Sequence, residues 1–185
     1  MTLTAFFRPA LMGALLLAAS PAAAFELHSS DFSEKSPIPE RNVFSGFGCS
    51  GANQSPALSW TAPPAGTRSL AVTIYDPDAP TGSGWWHWVL YNLPADSRGL
   101  PAGAGDPAKP LLPAGAVQGR TDYGTAGYGG PCPPQGDTPH RYIVTVHALK
   151  IDSLSLPADA SAAMVGFNLN AATLAKATLT ARYGR

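Results

Sequence analysis

Proline and glycine interrupt this sequence so often that long helices are excluded over most of its length. Each residue type occurs 19 times in 185 residues, and both are dense between Ala95 and Pro139, where no hydrophobic period is present. Proline lacks a backbone donor and glycine lacks a Cβ, so both disfavour regular elements. The chain is therefore expected to form short elements joined by turns, and the long segment from Ala95 to Pro139 is expected to cover a surface or carry function.

Three segments are predicted to be β-strands because they are rich in β-branched and aromatic residues, namely Ser69–Tyr75, Trp85–Leu93 and Arg141–Leu149. A strict period of two separates the second strand into two faces, with Trp86, Trp88, Leu90 and Asn92 opposite Trp85, His87, Val89, Tyr91 and Leu93. The third strand is expected to carry Tyr142, Val144 and Val146 on one side, and Ile143, Thr145, His147 and Leu149 on the other.

One helix and a last strand are predicted near the end of the chain. Ser161 to Ala175 has apolar residues at helical spacing, which we interpret as core contacts: Met164, Phe167, Ala171 and Leu174. Lys176 to Tyr183 alternates weakly and is predicted to be a strand. Several strands with one helix predict a mainly β protein, a β-sandwich with peripheral helices.

The first 24 residues are predicted to be a cleaved signal peptide. The apolar run from Ala10 to Ala19 is short for a membrane span, and Ser20-Pro21-Ala22-Ala23-Ala24 ends in an Ala-x-Ala cleavage pattern. Cleavage after Ala24 leaves residues 25–185 as a single domain, periplasmic or secreted, with no stable membrane insertion. The alternative interpretation is an uncleaved anchor.

The charge of the predicted mature chain argues against a nucleic-acid partner. Lys and Arg number 12 in the full chain, 11 without Arg8, against 12 Asp and Glu. A protein that engages several phosphates of a nucleic acid needs a basic face. The two cysteines, Cys49 and Cys132, suggest one disulfide in an exported protein, and a metal site made with histidines is the alternative.

A proline-braced pair of acids follows the first predicted strand. Pro77 and Pro80 restrict the backbone around Asp76 and Asp78. The next strand returns alongside after a turn, so His87 is expected to lie near both carboxylates. Turn capping by the two Asp side chains is the structural alternative, and a core histidine between tryptophans is the alternative for His87.

The neighbouring tryptophans are divided by the same alternation. Trp85 shares a predicted face with His87 and is the more natural pocket wall, whereas Trp88 is interpreted as core packing. Further along, Gly129-Gly130 can adopt positive φ and direct successive N–H groups at an anion. His140 opens the third strand, with Tyr142 on the same side. A purely structural Gly/Pro loop is the alternative for this second segment.

Taken together, these motifs resemble the phosphatidylethanolamine-binding protein family, also called the Raf kinase inhibitor protein family. The matching segments are Asp76-Pro77-Asp78-Ala79-Pro80, Gly82 to Trp88, Gly119-Arg120-x-Asp122, Pro133-Pro134-x-Gly136, His140-Arg141-Tyr142 and Asn53-x-Ser55-Pro56-x-Leu58-Ser59-Trp60. The resemblance runs from about Phe44 to the C-terminus. The cysteine pair is similar to exported bacterial members, and Trp86 stands where many eukaryotic relatives have a second histidine.

The resemblance implies a Greek-key β-sandwich with short helices and a small surface pocket for anions, including the phosphate of phosphorylethanolamine. The ligand-binding residues that it implies are Asp76, Asp78, Pro80, Trp86, His87, Gly130, Pro133, His140 and Tyr142. For the tryptophan at the pocket, the resemblance thus favours Trp86, whereas the alternation favours Trp85. No catalytic residue, cofactor or metal ion is expected.

The leading functional hypothesis is a periplasmic binding protein for a small anionic or zwitterionic phosphorylated ligand. His87, His140, Tyr142 and the glycine amides can donate to phosphate. The two acids can orient the histidines, favour their imidazolium forms or accept from an ammonium group, so binding is expected to weaken as pH rises. The alternatives are an inhibitor of a protease or another protein partner and, less favoured, a metal-dependent or acid–base hydrolase.

Overall fold

A computed structural model describes residues 24–34 and 36–185. Except for Ala24, the predicted signal peptide lies outside the described residues. The strands, in chain order, are β1 (Leu27–Ser29), β2 (Ser45–Gly46), β3 (Cys49–Ser50), β4 (Leu58–Trp60), β5 (Ser69–Asp76), β6 (Trp85–Pro94), β7 (Gly99–Leu100), β8 (Val117–Gln118), β9 (His140–Leu149) and β10 (Thr173–Tyr183). A single turn of 3₁₀ helix covers Glu40–Asn42, and the helix α1 covers Ala162–Ala172.

The larger sheet is antiparallel, with the strand order β10-β9-β5-β6-β8. The strands β5, β6 and β8 follow one another in space, and β9 then returns across them to pair with β5 on its other side. Three successive strands with a fourth beside the first form a Greek key. The connection from β8 to β9 brings the Gly/Pro-rich segment across one end of the sheet.

A smaller sheet, β1-β4-β7, packs face to face on the larger one. The core between them combines residues of both sheets, including Leu58, Trp60 and Leu100 of the small sheet with Leu70, Val72, Trp88 and Val144 of the large one. The predicted mainly β Greek-key sandwich is confirmed. The predicted faces of β9 are also confirmed, since Tyr142, Val144 and Val146 all enter this core.

Strand β6 does not keep the strict alternation predicted from its sequence. Ile74 pairs with Trp88, and Tyr75 pairs with Trp86. His87 therefore has no partner residue on β5 and forms a β-bulge. A second irregularity lies near Asn92, whose φ is 62°. As a result, Trp88, Leu90 and Leu93 reach the core between the sheets, while Val89, Tyr91 and Trp86 pack on the outer face.

The helix α1 exists, but its predicted core face is wrong. Ser161 caps its N-terminus by accepting from the Met164 amide, and the helix packs on the outer face of the larger sheet through Ala162, Val165, Leu169 and Ala172. Ala171 is exposed, as are Met164, Phe167 and Leu174. The chain enters β10 at Thr173, earlier than predicted, which takes Leu174 out of the helix altogether.

Cys49 and Cys132 form a disulfide that joins the short β2–β3 hairpin to the long connection before β9. This confirms the disulfide interpretation and removes both thiols from the alternative metal site. Within the described ranges, no helix has the length and apolar character needed to cross a membrane.

Candidate functional site

A small pocket opens at the end of the larger sheet where β5 ends and where β6 and β9 begin. Asp76 is the last residue of β5, Trp85 the first of β6 and His140 the first of β9, and the antiparallel pairing brings these three positions together. The pocket has a volume of about 220 Å³. Its lining comprises Phe47, Asp76, Ala79, Pro80, Thr81, Trp85, His87, Tyr123, Cys132, Pro133, Pro134, His140 and Tyr142.

The pocket contains six of the nine residues predicted for the site: Asp76, Pro80, His87, Pro133, His140 and Tyr142. Asp78, Trp86 and Gly130 are not among the residues that line it. His87 of β6 and His140 of β9 therefore line the same pocket, as expected. Asp78, Trp86 and Gly130 each make other contacts that account for their absence from the lining.

Asp76 has two roles, because it closes the bend and holds a histidine. Its Oδ1 accepts from the amides of Asp78 at 2.8 Å and Ala79 at 3.1 Å, as the turn-capping alternative predicts. Its Oδ2 lies 2.8 Å from Nδ1 of His140. Since a carboxylate accepts, Nδ1 of His140 donates, and Nε2 is left toward the pocket and Asp137, at 3.4 Å.

Asp78 turns away from the pocket and pairs with Arg141. Its carboxylate accepts from the Arg141 backbone amide at 2.9 Å and from the guanidinium at 2.6 Å. These hydrogen bonds lower the pKa of Asp78 to about 2. Asp78 therefore joins the bend to the first residues of β9, and the expectation that it orients a pocket histidine is wrong.

His87 is buried, and its protonation is set by a backbone carbonyl. Its Nδ1 lies 2.7 Å from the carbonyl oxygen of Gly129, so Nδ1 carries the proton. Burial lowers the pKa of His87 below its ordinary value, against the smaller opposing effects of the Gly129 hydrogen bond and Asp76. His87 is thus a neutral imidazole near neutral pH, and the expected imidazolium form is wrong for this residue.

The pair Gly129-Gly130 does not form the predicted anion nest. The Gly129 amide donates to the carbonyl of His87, and the Gly130 amide donates to Oδ1 of Asn53 at 2.7 Å. Neither glycine has a positive φ. A Cβ on Gly130 would lie 2.2 Å from the carbonyl oxygen of Asn42, so this glycine is required for close backbone packing.

The bulge at His87 decides between the two tryptophans. Trp85, His87 and the core residue Trp88 lie on the inner face of the sheet, so Trp85 lines the pocket. Trp86 stacks on Tyr75, with ring centroids 4.7 Å apart, and packs over Gly166 of α1. Trp85 therefore lies at the pocket, as the alternation predicts, and Trp86 is not among the described residues that line it. The role of Trp86 in ligand binding stays a prediction.

An aromatic wall beside the pocket was not predicted from the sequence. Phe44 and Tyr123 stack at 4.2 Å, and Phe47 lies 5.8 Å from Tyr123, ring centroid to ring centroid. Phe47 is 70% exposed and sits at the tip of the β2–β3 hairpin with a φ of 52°. The disulfide from Cys49 to Cys132 was the available signal, because it draws this hairpin to the pocket rim.

Three side chains of the pocket carry buried polar atoms that find no partner in the described part of the chain. They are Nε1 of Trp85, Nε2 of His87 and the hydroxyl of Tyr142. Buried polar atoms are nearly always paired, and each unpaired one costs about 1–3 kcal/mol. Unpaired donors and an unpaired imidazole nitrogen are thus concentrated around one depression. Over residues 24–34 and 36–185, no three Cys, His, Asp or Glu side chains are grouped to hold a metal ion.

Comparison with known sequences identifies the family to which this fold belongs. The sequence profile described as "Phosphatidylethanolamine-binding protein" matches residues 28–184. The chain is 49% identical to YbcL of Escherichia coli over 170 residues, 92% of this chain and 93% of that protein. It is 53% identical to YbhB of E. coli over 158 residues, 85% of this chain and 99% of that protein.

Solved structures agree with the sequence comparison. The crystal structure of E. coli YbcL, described as a new member of the mammalian PEBP family, superposes with a TM-score of 0.86 at 50% identity, covering 88% of this chain and 99% of that one. A PEBP homolog from Chlamydia trachomatis, CT736, gives a TM-score of 0.72 at 31% identity, with 89% and 99% coverage. The chain therefore belongs to the phosphatidylethanolamine-binding protein family.

Proposed function

We propose that this protein is an exported binding protein that recognises phosphate or the phosphorylated head group of a small ligand such as phosphoethanolamine. The observation that carries the proposal is the set of unpaired buried atoms of Trp85, His87 and Tyr142, gathered around one pocket with His140. The indole of Trp85 and the hydroxyl of Tyr142 can donate to phosphoryl oxygens, and Nε2 of His140 can do so in the imidazolium form. A tetrahedral oxyanion offers them several acceptors at once.

The size of the pocket favours a head group over a whole lipid. Its volume of about 220 Å³ is below the range of about 300–1,000 Å³ common for drug-sized ligands. The exposed ring of Phe47 and the ring of Tyr123 border the opening. A group attached to the phosphate, such as an aminoethyl chain, would leave along this aromatic rim, where an ammonium group gains a cation–π contact.

Export is supported by two further observations. The described chain holds its two cysteines as a disulfide, and stable disulfides are typical of oxidising compartments. A relative from Mycobacterium tuberculosis is described as a putative lipoprotein. Together with the apolar N-terminal run, these favour a periplasmic or secreted protein.

Calorimetric titration with phosphoethanolamine tests the proposal. We expect saturable binding at one site per chain, and weaker binding as the pH rises from 5.5 to 8.5, because the ligand loses a proton and becomes dianionic beside the carboxylate of Asp76. Tyr142→Phe is expected to weaken binding, whereas Asp152→Asn, at an exposed pair with Arg68 outside the pocket, is the control and is expected to bind as the unmodified protein does. Absence of saturable binding throughout this pH range would overturn the proposal.

A further inference from the structure

The tautomer of His87 gives the pocket a hydrogen-bond acceptor as well as donors. A carbonyl oxygen only accepts, so the 2.7 Å contact with Gly129 assigns the single proton of neutral His87 to Nδ1. Nε2 then presents a lone pair. This atom is buried and has no partner within the described residues, so a ligand that satisfies it must bring its own hydrogen-bond donor.

Burial opposes a change of His87 to a double donor, although the neighbouring carboxylates favour it. His87 is fully buried, and burial lowers its pKa. The charged groups that face it are Asp76 from β5, Asp122 from the long connection and, when protonated, His140 from β9. The two carboxylates favour a proton on His87, but their effect is smaller than that of burial.

The same surroundings disfavour a doubly charged ligand. No Lys or Arg is found among the described residues that line the pocket, whereas the carboxylate of Asp76 is part of its wall. Arg141 lies near, but Asp78 engages its guanidinium. A phosphate monoester with one proton has a single negative charge and one P–O–H donor, and this combination matches the acceptor on His87 and a described lining without a Lys or Arg side chain.

We propose that Nε2 of His87 accepts a hydrogen bond from the P–O–H group of the bound ligand, so that the pocket selects monoprotonated phosphate monoesters and rejects sulfate esters. This inference rests on the proposed function and specifies the ligand's protonation state. A sulfate ester has the same shape and a single charge, but no proton at ordinary pH. Its oxygen would face the lone pair of Nε2, and both would stay unsatisfied.

The proton balance follows from the ligand's own titration. The second pKa of a phosphate monoester is about 6, so at pH 8 most of the free ligand is dianionic. Binding in the monoprotonated form then takes up one proton from solvent, which is placed on a phosphoryl oxygen and shared with Nε2. At pH 5 the ligand already carries this proton, and uptake by the ligand is close to zero.

The first experiment compares phosphoethanolamine with 2-aminoethyl hydrogen sulfate by calorimetry at pH 6. We expect the sulfate ester to bind about 10- to 100-fold more weakly. Equal affinities would overturn the inference while leaving the proposed function in place. Failure of both compounds to bind would overturn the proposed function and this inference with it.

A second measurement follows the proton itself. Titrations of phosphoethanolamine at pH 8, in buffers of different ionisation enthalpy, are expected to show uptake approaching one proton per ligand. In the complex, nitrogen NMR of His87 is expected to show the neutral Nδ1–H tautomer. Spectra of an imidazolium at His87 would overturn the inference, because the residue would then be a donor to phosphate and sulfate alike.

Two variants separate the role of Nε2 from general packing. His87→Gln can present an amide N–H at the position of Nε2, and we expect the preference for phosphate over sulfate to narrow to less than about 3-fold. The matched control Asp152→Asn, at an exposed pair with Arg68 away from the pocket, is expected to keep the discrimination of the unmodified protein. Unchanged discrimination in folded His87→Gln protein would overturn the assignment of specificity to this atom.

Discussion

Nδ1 of His140 lies 2.8 Å from Oδ2 of Asp76, and both side chains are almost completely buried. The other oxygen of Asp76 accepts two backbone amides of its own bend. One carboxylate therefore joins the end of β5 to the beginning of β9 and sets the orientation of a histidine in the pocket.

Asp76→Asn is expected to destabilise the protein by about 2 kcal/mol, because an amide group has only one acceptor oxygen for three donors. Either His140 or the amides of the bend would then face an NH₂ group. Urea unfolding at neutral pH measures the change. Asp78→Asn, which affects a partly exposed pair with Arg141, serves as control and is expected to have a clearly smaller effect. Equal losses in the two variants would contradict this account of Asp76.

Tyr142→Phe is expected to separate stability from binding. Its buried hydroxyl has no partner in the part of the chain described, so removing it should leave the free energy of unfolding unchanged or raise it by up to about 1 kcal/mol. Affinity for phosphoethanolamine should fall about 5- to 10-fold. A large loss of stability in urea unfolding would show that the hydroxyl has a structural partner instead.

Trp85→Phe and Trp86→Phe test which tryptophan serves the pocket. Loss of the Trp85 indole N–H should weaken phosphoethanolamine binding about 5-fold, with a minor effect on unfolding. Trp86 packs over Gly166 of α1, so its replacement should lower stability and leave affinity unchanged. Paired calorimetry and urea unfolding distinguish the two results. If Trp86→Phe weakened binding and Trp85→Phe lowered stability instead, Trp86 would be the tryptophan of the pocket.

Gly130→Ala is expected to cost more than about 2 kcal/mol of unfolding free energy, because the new Cβ would clash with the backbone at Asn42. Gly136→Ala is the control. Gly136 has a φ of 89° but open space around it, so only backbone strain of about 1 kcal/mol is expected. Thermal unfolding of the two variants gives the comparison, and a mild effect at Gly130 would favour the anion nest.

His147 is expected to weaken the fold in acid. Burial lowers its pKa from 6.5 to about 4, so between these values the unfolded chain binds a proton that the folded chain does not. Stability should therefore fall as pH drops below about 6.5, by about 2.5 kcal/mol at pH 4.5 from this residue. Urea unfolding at pH 7 and pH 4.5 measures the loss, which His147→Gln should reduce. An identical loss in the variant would assign the acid sensitivity to other groups, such as buried His87.

The sequence alone predicted the four long strands and the bend, because local composition and alternation determine them. It also predicted the disulfide, from an even number of cysteines in an exported protein. Ser69–Tyr75 and Arg141–Leu149 are within one residue of β5 and β9. The prolines at 77 and 80 identified Asp76 as the residue at the turn. The two histidines were placed correctly because antiparallel strands bring the end of β5 beside the beginnings of β6 and β9.

Only the tertiary structure decided what each polar group at the site is available to do. The carbonyl that sets the tautomer of His87 is 42 positions away, and the Asn53 side chain that takes up the Gly130 amide is 77 positions away. The bulge at His87 likewise arises from pairing with β5. It puts Trp88 on the same face as His87, whereas a period of two puts them on opposite faces. The helix face was misread because Met164 and Phe167 match the spacing that Val165 and Leu169 also match, and only packing against the sheet distinguishes the two sets. Alternation and turn residues are local properties, whereas hydrogen-bond partners and burial depend on segments that meet only in the folded chain.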